Sequence, residues 1–274
     1  MNGVGLKVWL QGGGEMASGA AVALVQAGCQ VVIAEIPNPC SVRRLVSFSE
    51  AIYEGMVTVS GILGNRVAAD QLRWQSAAVL VAIDLHADQL DRLAPDVIVD
   101  ARMTKKIPLS LPVTGCPIIG LGPGFVCGKN ADLVVETQRG GQLGQVIRQG
   151  SAAPYTGVPG KIGGHDTKRV LRAPRAGNLI SELKIGDMVD EGSVIGQIDG
   201  YSLVSSLTGM LRGLVHPEVE LYQGQKVGDV DPRGAVVDPH LQSDKAQAIG
   251  AGVWQAVAEL CRTKIDREQD GSLS

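Results

Sequence analysis

The chain has 274 residues, 45% of them hydrophobic and only 3% aromatic, which allows cores of small aliphatic side chains in about two domains. A net charge of −3 and a pI near 5.8 give no general attraction to phosphate polymers, and so few aromatics leave little stacking surface for single-stranded nucleic acid. The thirty-six glycines exceed what turns alone require and predict several places of close backbone approach.

Lys7–Gln11 is a short apolar run ahead of Gly12-Gly13-Gly14, and an Ala-rich helical stretch follows to Ala27, where Gly28 is placed to end it. Val31–Glu35 reads as a second apolar strand, and Ala78–Ile83, Val97–Asp100, Pro117–Leu121 and Leu133–Glu136 as four more, with Leu90–Leu93 a short helical approach among them. Strands without alternation, separated by helical stretches, predict an α/β, Rossmann-like domain over residues 1–150, its mostly parallel sheet covered on both faces. Residues 151–168, rich in Gly and Pro, read as a connection. A small all-β domain is expected over 169–232. Residues 233–274 carry a helix from Ser243 to Ile265 with Ile249, Val253, Val257 and Leu260 on one face. Gly250 and Gly252 each cost that helix about 1 kcal/mol relative to Ala. Two in one turn predict close contact, with the helix packing back on the α/β domain.

The all-β domain is a repeat. Residues 176–199 and 208–231 are the same segment written twice, so that Gly177 returns as Gly209, Leu179 as Leu211, Gly192 as Gly224 and Asp199 as Asp231. A unit this short cannot bury its apolar face alone, and the two copies are expected to clasp each other. The segment resembles the barrel-sandwich hybrid of biotinyl and lipoyl domains, whose cofactor sits on a lysine in the hairpin joining the halves. Here no lysine occurs between Lys184 and Lys226, and the expected hairpin reads Asp199-Gly200-Tyr201-Ser202. Covalent biotin or lipoate is therefore not expected.

Two segments carry the binding expectations. Gly12-Gly13-Gly14-Glu15-Met16-Ala17 fits G-x-G-x-x-A between a strand and a helix, and Glu35 ends the next strand near the separation at which dinucleotide sites read a ribose hydroxyl. Glu15 speaks against a phosphate there, since a carboxylate in the loop repels it. Gly122-Pro123-Gly124 ends another strand, and Thr137 and Arg139 follow the next; Arg139 offers a planar fork for a phosphate or carboxylate. Weaker catalytic candidates are Asp100, Lys105 and Cys127, the last only if its surroundings lower the thiol pKa. Asp84, His86 and Asp88 alternate near a strand end but read as solvated rather than as a metal site. The basic cluster Lys161, Lys168, Arg169, Arg172 and Arg175 reads as a solvated linker able at most to meet one small anion. Arg43 and Arg44 lie beyond Glu35 as a possible phosphate contact.

Five cysteines (Cys29, Cys40, Cys116, Cys127 and Cys261) without C-x-x-C spacing argue against a disulfide framework and for a reducing compartment. Met1–Gly14 lacks the pattern of a signal peptide, and no apolar run approaches the roughly 20 residues that span a bilayer. The expectation is a cytoplasmic protein without nucleic-acid or membrane partners.

Taken in order, Gln11-Gly12-Gly13-Gly14, Val42-Arg43-Arg44, Phe48-Ser49-Glu50-Ala51, Gly122-Pro123-Gly124-Phe125, Glu136-Thr137, Arg139-Gly140, Thr156-Gly157-Val158-Pro159-Gly160, Asp231-Pro232-Arg233 and Ser243-Asp244-Lys245 resemble the accessory proteins of selenium-dependent molybdenum hydroxylases. The resemblance spans nearly the whole chain. It implies a maturation role beside a xanthine-dehydrogenase-like apo-enzyme, with a molybdopterin-type cofactor or a nucleotide as the phosphorylated, anionic ligand. One departure stands out: Asn130 and Asp132 occupy places where the family usually has an Asp and a His. An NAD(P)-dependent oxidoreductase and a non-catalytic interaction module are the alternatives, and the sequence leaves open whether any reaction is catalysed.

Overall fold

A computed structural model of the chain describes residues 3, 5–103, 111, 115–157, 160 and 162–262. The chain forms two compact units. The first comprises Met1–Pro37, Ser47–Tyr155 and Gln242–Ser274; the second comprises Asn38–Val46 and Thr156–Leu241.

The first unit is built on β1 (Lys7–Gln11), α1 (Glu15–Gln26), β2 (Gln30–Glu35), α2 (Ala51–Glu54), β3 (Met56–Val59), β4 (Ile62–Arg66), β5 (Ala78–Ile83), α3 (Leu90–Leu93), β6 (Val97–Asp100), β7 (Ile118–Leu121), β8 (Leu133–Val135) and β9 (Val146–Ile147). Its sheet runs β3-β4-β5-β2-β1-β6-β7-β8-β9. The strands from β4 to β8 in that order are all parallel, while β3 and β9 pair antiparallel at the two edges. The six strands β5-β2-β1-β6-β7-β8 have the order of a doubly wound α/β sheet, whose strand order reverses between β1 and β6. Each of these strands is buried along nearly its full length, which is why its sequence shows no alternation.

The hairpin β3–β4 was not foreseen from the sequence. Ser60 and Gly61 form its two-residue turn with both φ positive (50° and 79°), the mirror-image turn that suits strand twist. Its weak half-polar alternation, with Thr58, Asn65 and Arg66, hides it beside the continuous apolar runs.

Helix α1 ends as Gly28 predicts. Gly28 takes a left-handed φ of 91°, its N–H donates to the Val25 carbonyl at 2.9 Å, and the Cys29 N–H donates to the Leu24 carbonyl at 3.0 Å. The long C-terminal helix (Asp244–Leu260), which completes the first unit, lies over β6 to β9, whereas α1 lies over β1 and β2. The two helices meet at glycines: a Cβ on Gly19 would collide with the Ala246 carbonyl, and one on Gly250 with the Gly19 carbonyl. Gly252 makes the same approach to Gly144. Trp9, Val32, Leu80 and Ile98 pack with Leu72, Leu90 and Leu93 in a further core cluster.

The second unit contains β10 (Val170–Arg172), β11 (Leu179–Ile180), β12 (Met188–Val189), β13 (Val194–Ile198), β14 (Tyr201–Val204), β15 (Gly209–Leu214) and β16 (Lys226–Asp231); the helix of the first unit named above is α4 in chain order. They make a four-stranded sheet β10-β16-β15-β12 and a three-stranded sheet β11-β13-β14, with every pairing antiparallel. The sequence repeat appears as reciprocal exchange. Gly177 bridges Leu221, and their counterparts Gly209 and Val189 pair likewise. The Gly192 N–H donates to the Ser205 carbonyl at 2.9 Å, and the Gly224 N–H to the Ala173 carbonyl at 2.8 Å. Each copy thus completes the other, and the repeat extends upstream to β10 and β14.

Asn38–Val46 falls in this second unit rather than within an uninterrupted first domain. Arg43 donates to the Leu241 carbonyl at 2.9 Å, Arg44 to the Leu214 carbonyl at 3.2 Å, and Val42 fills the space above Gly213. Those arginines donate to backbone carbonyls. The basic cluster is likewise dispersed: Arg169 pairs with buried Asp229, Arg172 donates to the Gly224 carbonyl, and Arg175 lies by Asp199 and Tyr201, while Lys161 is outside the described residues. No helix among the described residues is long and apolar enough to cross a membrane.

Candidate functional site

Doubly wound sheets bind ligands at the carboxyl ends of their strands, where this chain places a row of buried carboxylates. Glu35 ends β2, Asp84 follows β5, Asp100 ends β6 and Glu136 follows β8, each 8% exposed or less. Isolated buried carboxylates are costly, so each must find donors. Glu35 accepts from Gly13 N–H at 2.6 Å and Ile36 N–H at 2.7 Å. Asp84 accepts from Asp88 and Gln89 N–H at 2.8 and 3.0 Å, closing the turn that leads into α3. Glu136 accepts from the Thr137, Gln138 and Ala153 N–H groups, each at 2.7 Å. Asp100 is forked by Arg102, with Nε–Oδ1 at 2.9 Å and Nη2–Oδ2 at 2.5 Å.

This arrangement corrects the expectation for the first glycine loop. The Gly13 N–H that a pyrophosphate would use already donates to Glu35, and the Gly13 carbonyl accepts from Ser49 N–H at 2.9 Å and from the Ser18 hydroxyl at 3.1 Å. A Cβ on Gly13 would lie 3.0 Å from the Ser49 nitrogen. Gly12, at φ 97°, is glycine because a side chain would press on Ala101 and Arg102 at the β6 end. Gly14 is the N-cap of α1. Glu35 therefore closes the loop instead of facing a ribose. Burial raises its carboxyl pKa, against the pull of the Ile36 and Gly13 N–H groups.

At the second crevice, adjacent parallel strands bring the β7 and β8 ends together. Gly122 (φ 77°) leaves room for the buried Thr137 side chain, which a Cβ there would strike. Pro123 and Gly124 (φ 99°) complete a turn in which Phe125 folds back over Gly120. Asn130 locks this turn, donating to the Gly124 carbonyl at 3.0 Å and accepting from Val126 N–H at 2.7 Å. Asp132 accepts from Ile118 N–H at 2.7 Å. Asn130 is thus turn-forming here, while Asp132 ties the start of β8 to the first residue of β7.

Arg139 does offer a fork, but Asp244 fills it, with Nη1–Oδ2 at 2.6 Å and Nη2–Oδ1 at 2.8 Å. Asp100 is engaged by Arg102 and is not a free base. The Cys127 thiol donates to the Ile147 carbonyl at 3.1 Å, and burial raises its pKa, so it is not an activated nucleophile. Lys105 lies outside the described residues.

Sequence reasoning missed Asp84 and Glu136 as loop caps and passed over Lys245. The caps carry a signal in hindsight: a carboxylate directly follows or ends four apolar strand runs. Lys245, half-buried in the first turn of α4, has its ammonium form disfavoured by burial and by Arg139, with Glu15, Glu136 and Asp244 acting the other way.

No family model matches the chain, and no solved structure matches it. Over 257 residues it is 42% identical to uncharacterized protein YqeB of Escherichia coli (strain K12), an alignment covering 92% of this chain and 47% of that protein. The chain spans about half the length of this relative.

Proposed function

We propose that the chain is an accessory factor in the maturation of a molybdenum hydroxylase and not an NAD(P)-dependent oxidoreductase. The ordered motifs support the first half of this reading by resemblance. The observation that carries the second is the Glu35 carboxylate on the Gly13 N–H at 2.6 Å. A pyrophosphate would have to displace a charge-assisted hydrogen bond of about 1.5–3 kcal/mol and then sit beside the expelled carboxylate. The residues at the first glycine loop do not fit that group.

A phosphorylated ligand, of molybdopterin or nucleotide type, fits better at the second crevice. There Arg139 can exchange Asp244 for a ligand at low cost, since the pair is 37% and 73% exposed and exposed pairs contribute only about 0.2–1 kcal/mol. The second unit is read as a barrel-sandwich hybrid without a carrier lysine, a reading supported by the reciprocal pairing of its two copies. Asp199 and Gly200, with φ 49° and 76°, fill the two-residue turn where a carrier domain holds its lysine. Exposed Ile180, Val194 and Val204, at 75%, 54% and 44%, favour a role for its three-stranded sheet in contacting a protein partner.

Deleting the gene in its host should leave the hydroxylase polypeptide at normal abundance but inactive, with Arg139→Ala complementing poorly and Glu35→Gln well. Full hydroxylase activity in the deletion strain rejects the maturation role. Tight NAD(P) binding by the purified protein restores the oxidoreductase reading.

A further inference from the structure

Thr137 stands apart among the polar residues at the carboxyl edge of the sheet. It lies two residues beyond β8 and is only 3% exposed, yet its hydroxyl makes no hydrogen bond among the described residues. Only its backbone N–H is engaged, donating to Glu136 Oε1 at 2.7 Å. Buried hydroxyls nearly always have a partner, so one without calls for an explanation. The groups that could have taken this hydroxyl are engaged elsewhere. Both Glu136 oxygens accept from backbone N–H groups, and the Glu136 carbonyl accepts from Gly144 N–H at 2.9 Å. The Gly122 N–H donates to the Val135 carbonyl at 3.0 Å, and the Gly124 carbonyl accepts from Asn130.

The hydroxyl is aimed at the glycine turn after β7. A Cβ built on Gly122 would meet Thr137 Cγ2 at 3.2 Å and Cβ at 3.3 Å, with Oγ1 closer than either. Oγ1 is therefore the Thr137 atom presented to the turn, in the crevice between the β7 and β8 ends. Gly122, at φ 77°, carries no side chain where this hydroxyl stands. The chain thus gives up a side chain at one position to seat an unpaired hydroxyl from another. A position that served packing alone would be better filled by an apolar side chain.

We infer that the Thr137 hydroxyl is the seat for the anionic group of the ligand, donating a hydrogen bond to a phosphate oxygen inside the crevice. Arg139, two residues on, supplies the opposite charge at the rim once its fork is released by the exposed Asp244. The Glu136 charge beneath is held by its three N–H donors. Asn130 keeps the turn rigid, so the seat is formed before the ligand arrives. The inference rests on the anion reading of this crevice and names the group that reads the phosphate.

The test titrates the whole 15N-labelled protein, in phosphate-free buffer, with inorganic phosphate. Saturable shifts should appear at the amide signals of Gly122, Gly124, Thr137 and Gln138. Thr137→Val, which replaces the hydroxyl by a methyl of similar shape, should weaken phosphate about tenfold, the loss typical of one hydrogen bond to a charged group. Thr137→Ser keeps the hydroxyl and should stay within about threefold of the wild type. The second readout is stability without phosphate, where Thr137→Val should melt at or above the wild-type temperature because it removes a buried hydroxyl that has no partner. A Thr137→Val protein that melts several degrees lower in phosphate-free buffer has lost a structural bond and overturns the inference. Absence of saturable shifts in the wild type rejects the anion reading of the crevice and the Thr137 seat together. Phosphate binding weakened by Arg139→Ala but unchanged by Thr137→Val leaves that reading standing and rejects the seat alone.

Discussion

The crossing of α1 and α4 gives the sharpest test of the packing. In an exposed helix, Gly→Ala stabilises by about 1 kcal/mol, so Gly250→Ala should help α4 if propensity decides. The structure says otherwise. The new Cβ would lie 2.9 Å from the Gly19 carbonyl carbon, closer still to its oxygen, and 3.3 Å from the Ala23 Cβ. Both near groups at Gly19 are backbone and cannot swing aside as a flexible side chain does. Overpacking costs about 1–3 kcal/mol, and a backbone collision falls at the upper end. Subtracting the propensity gain leaves a net loss of about 2 kcal/mol. At roughly 2–4 °C per kcal/mol for a unit of this size, the melting temperature should fall by about 4–8 °C. Trp9, Trp74 and Trp254 all belong to the first unit, so tryptophan fluorescence during urea or thermal unfolding reports on that unit alone. Ala251→Gly, at an exposed position of the same turn, serves as the control and should lose only about 1 kcal/mol. A Gly250→Ala protein as stable as the wild type would refute the close crossing.

Three further outcomes are expected. Burial raises the Glu35 carboxyl pKa in the folded state, so its contribution to stability is largest below the unfolded carboxylate value of about 4.3 and is lost as pH rises through the folded value. Glu35→Gln should flatten that part of the stability–pH profile measured by urea unfolding, and an unchanged slope would mean that another group titrates there. Gly122→Ala combines a φ of 77° with a Cβ that meets Thr137, its Cγ2 at 3.2 Å, and should cost about 2–3 kcal/mol in chemical denaturation, whereas Thr137→Ser in the same assay should be much milder. Cys127 should react with iodoacetamide at neutral pH at least about tenfold more slowly than glutathione, because its thiol is raised by burial and bonded to the Ile147 carbonyl; rapid labelling would restore it as a nucleophile.

Local signals in the sequence sufficed wherever one segment settles its own conformation. The apolar runs Lys7–Gln11, Ala78–Ile83 and Val97–Asp100 are strands because strands covered on both faces need unbroken apolar sequence. Gly28 ends α1 because only glycine takes the left-handed turn without strain. Gly250 and Gly252 are legible as contact points, since glycine weakens a helix unless something must come close. The repeat is legible too, from its fixed spacing. Its exchange of strands is not, because pairing between the copies is a long-range choice. Tertiary structure alone decided which way the strand-end carboxylates point. Glu35 was recognisable as an acid after a strand, but its partner is the Gly13 N–H, presented by a loop that Ser49 holds from a distant part of the chain. Arg139 read as a fork for an anion until the start of α4 brought Asp244 into it. Such properties belong to contacts between residues far apart in sequence, and only the folded chain brings them together.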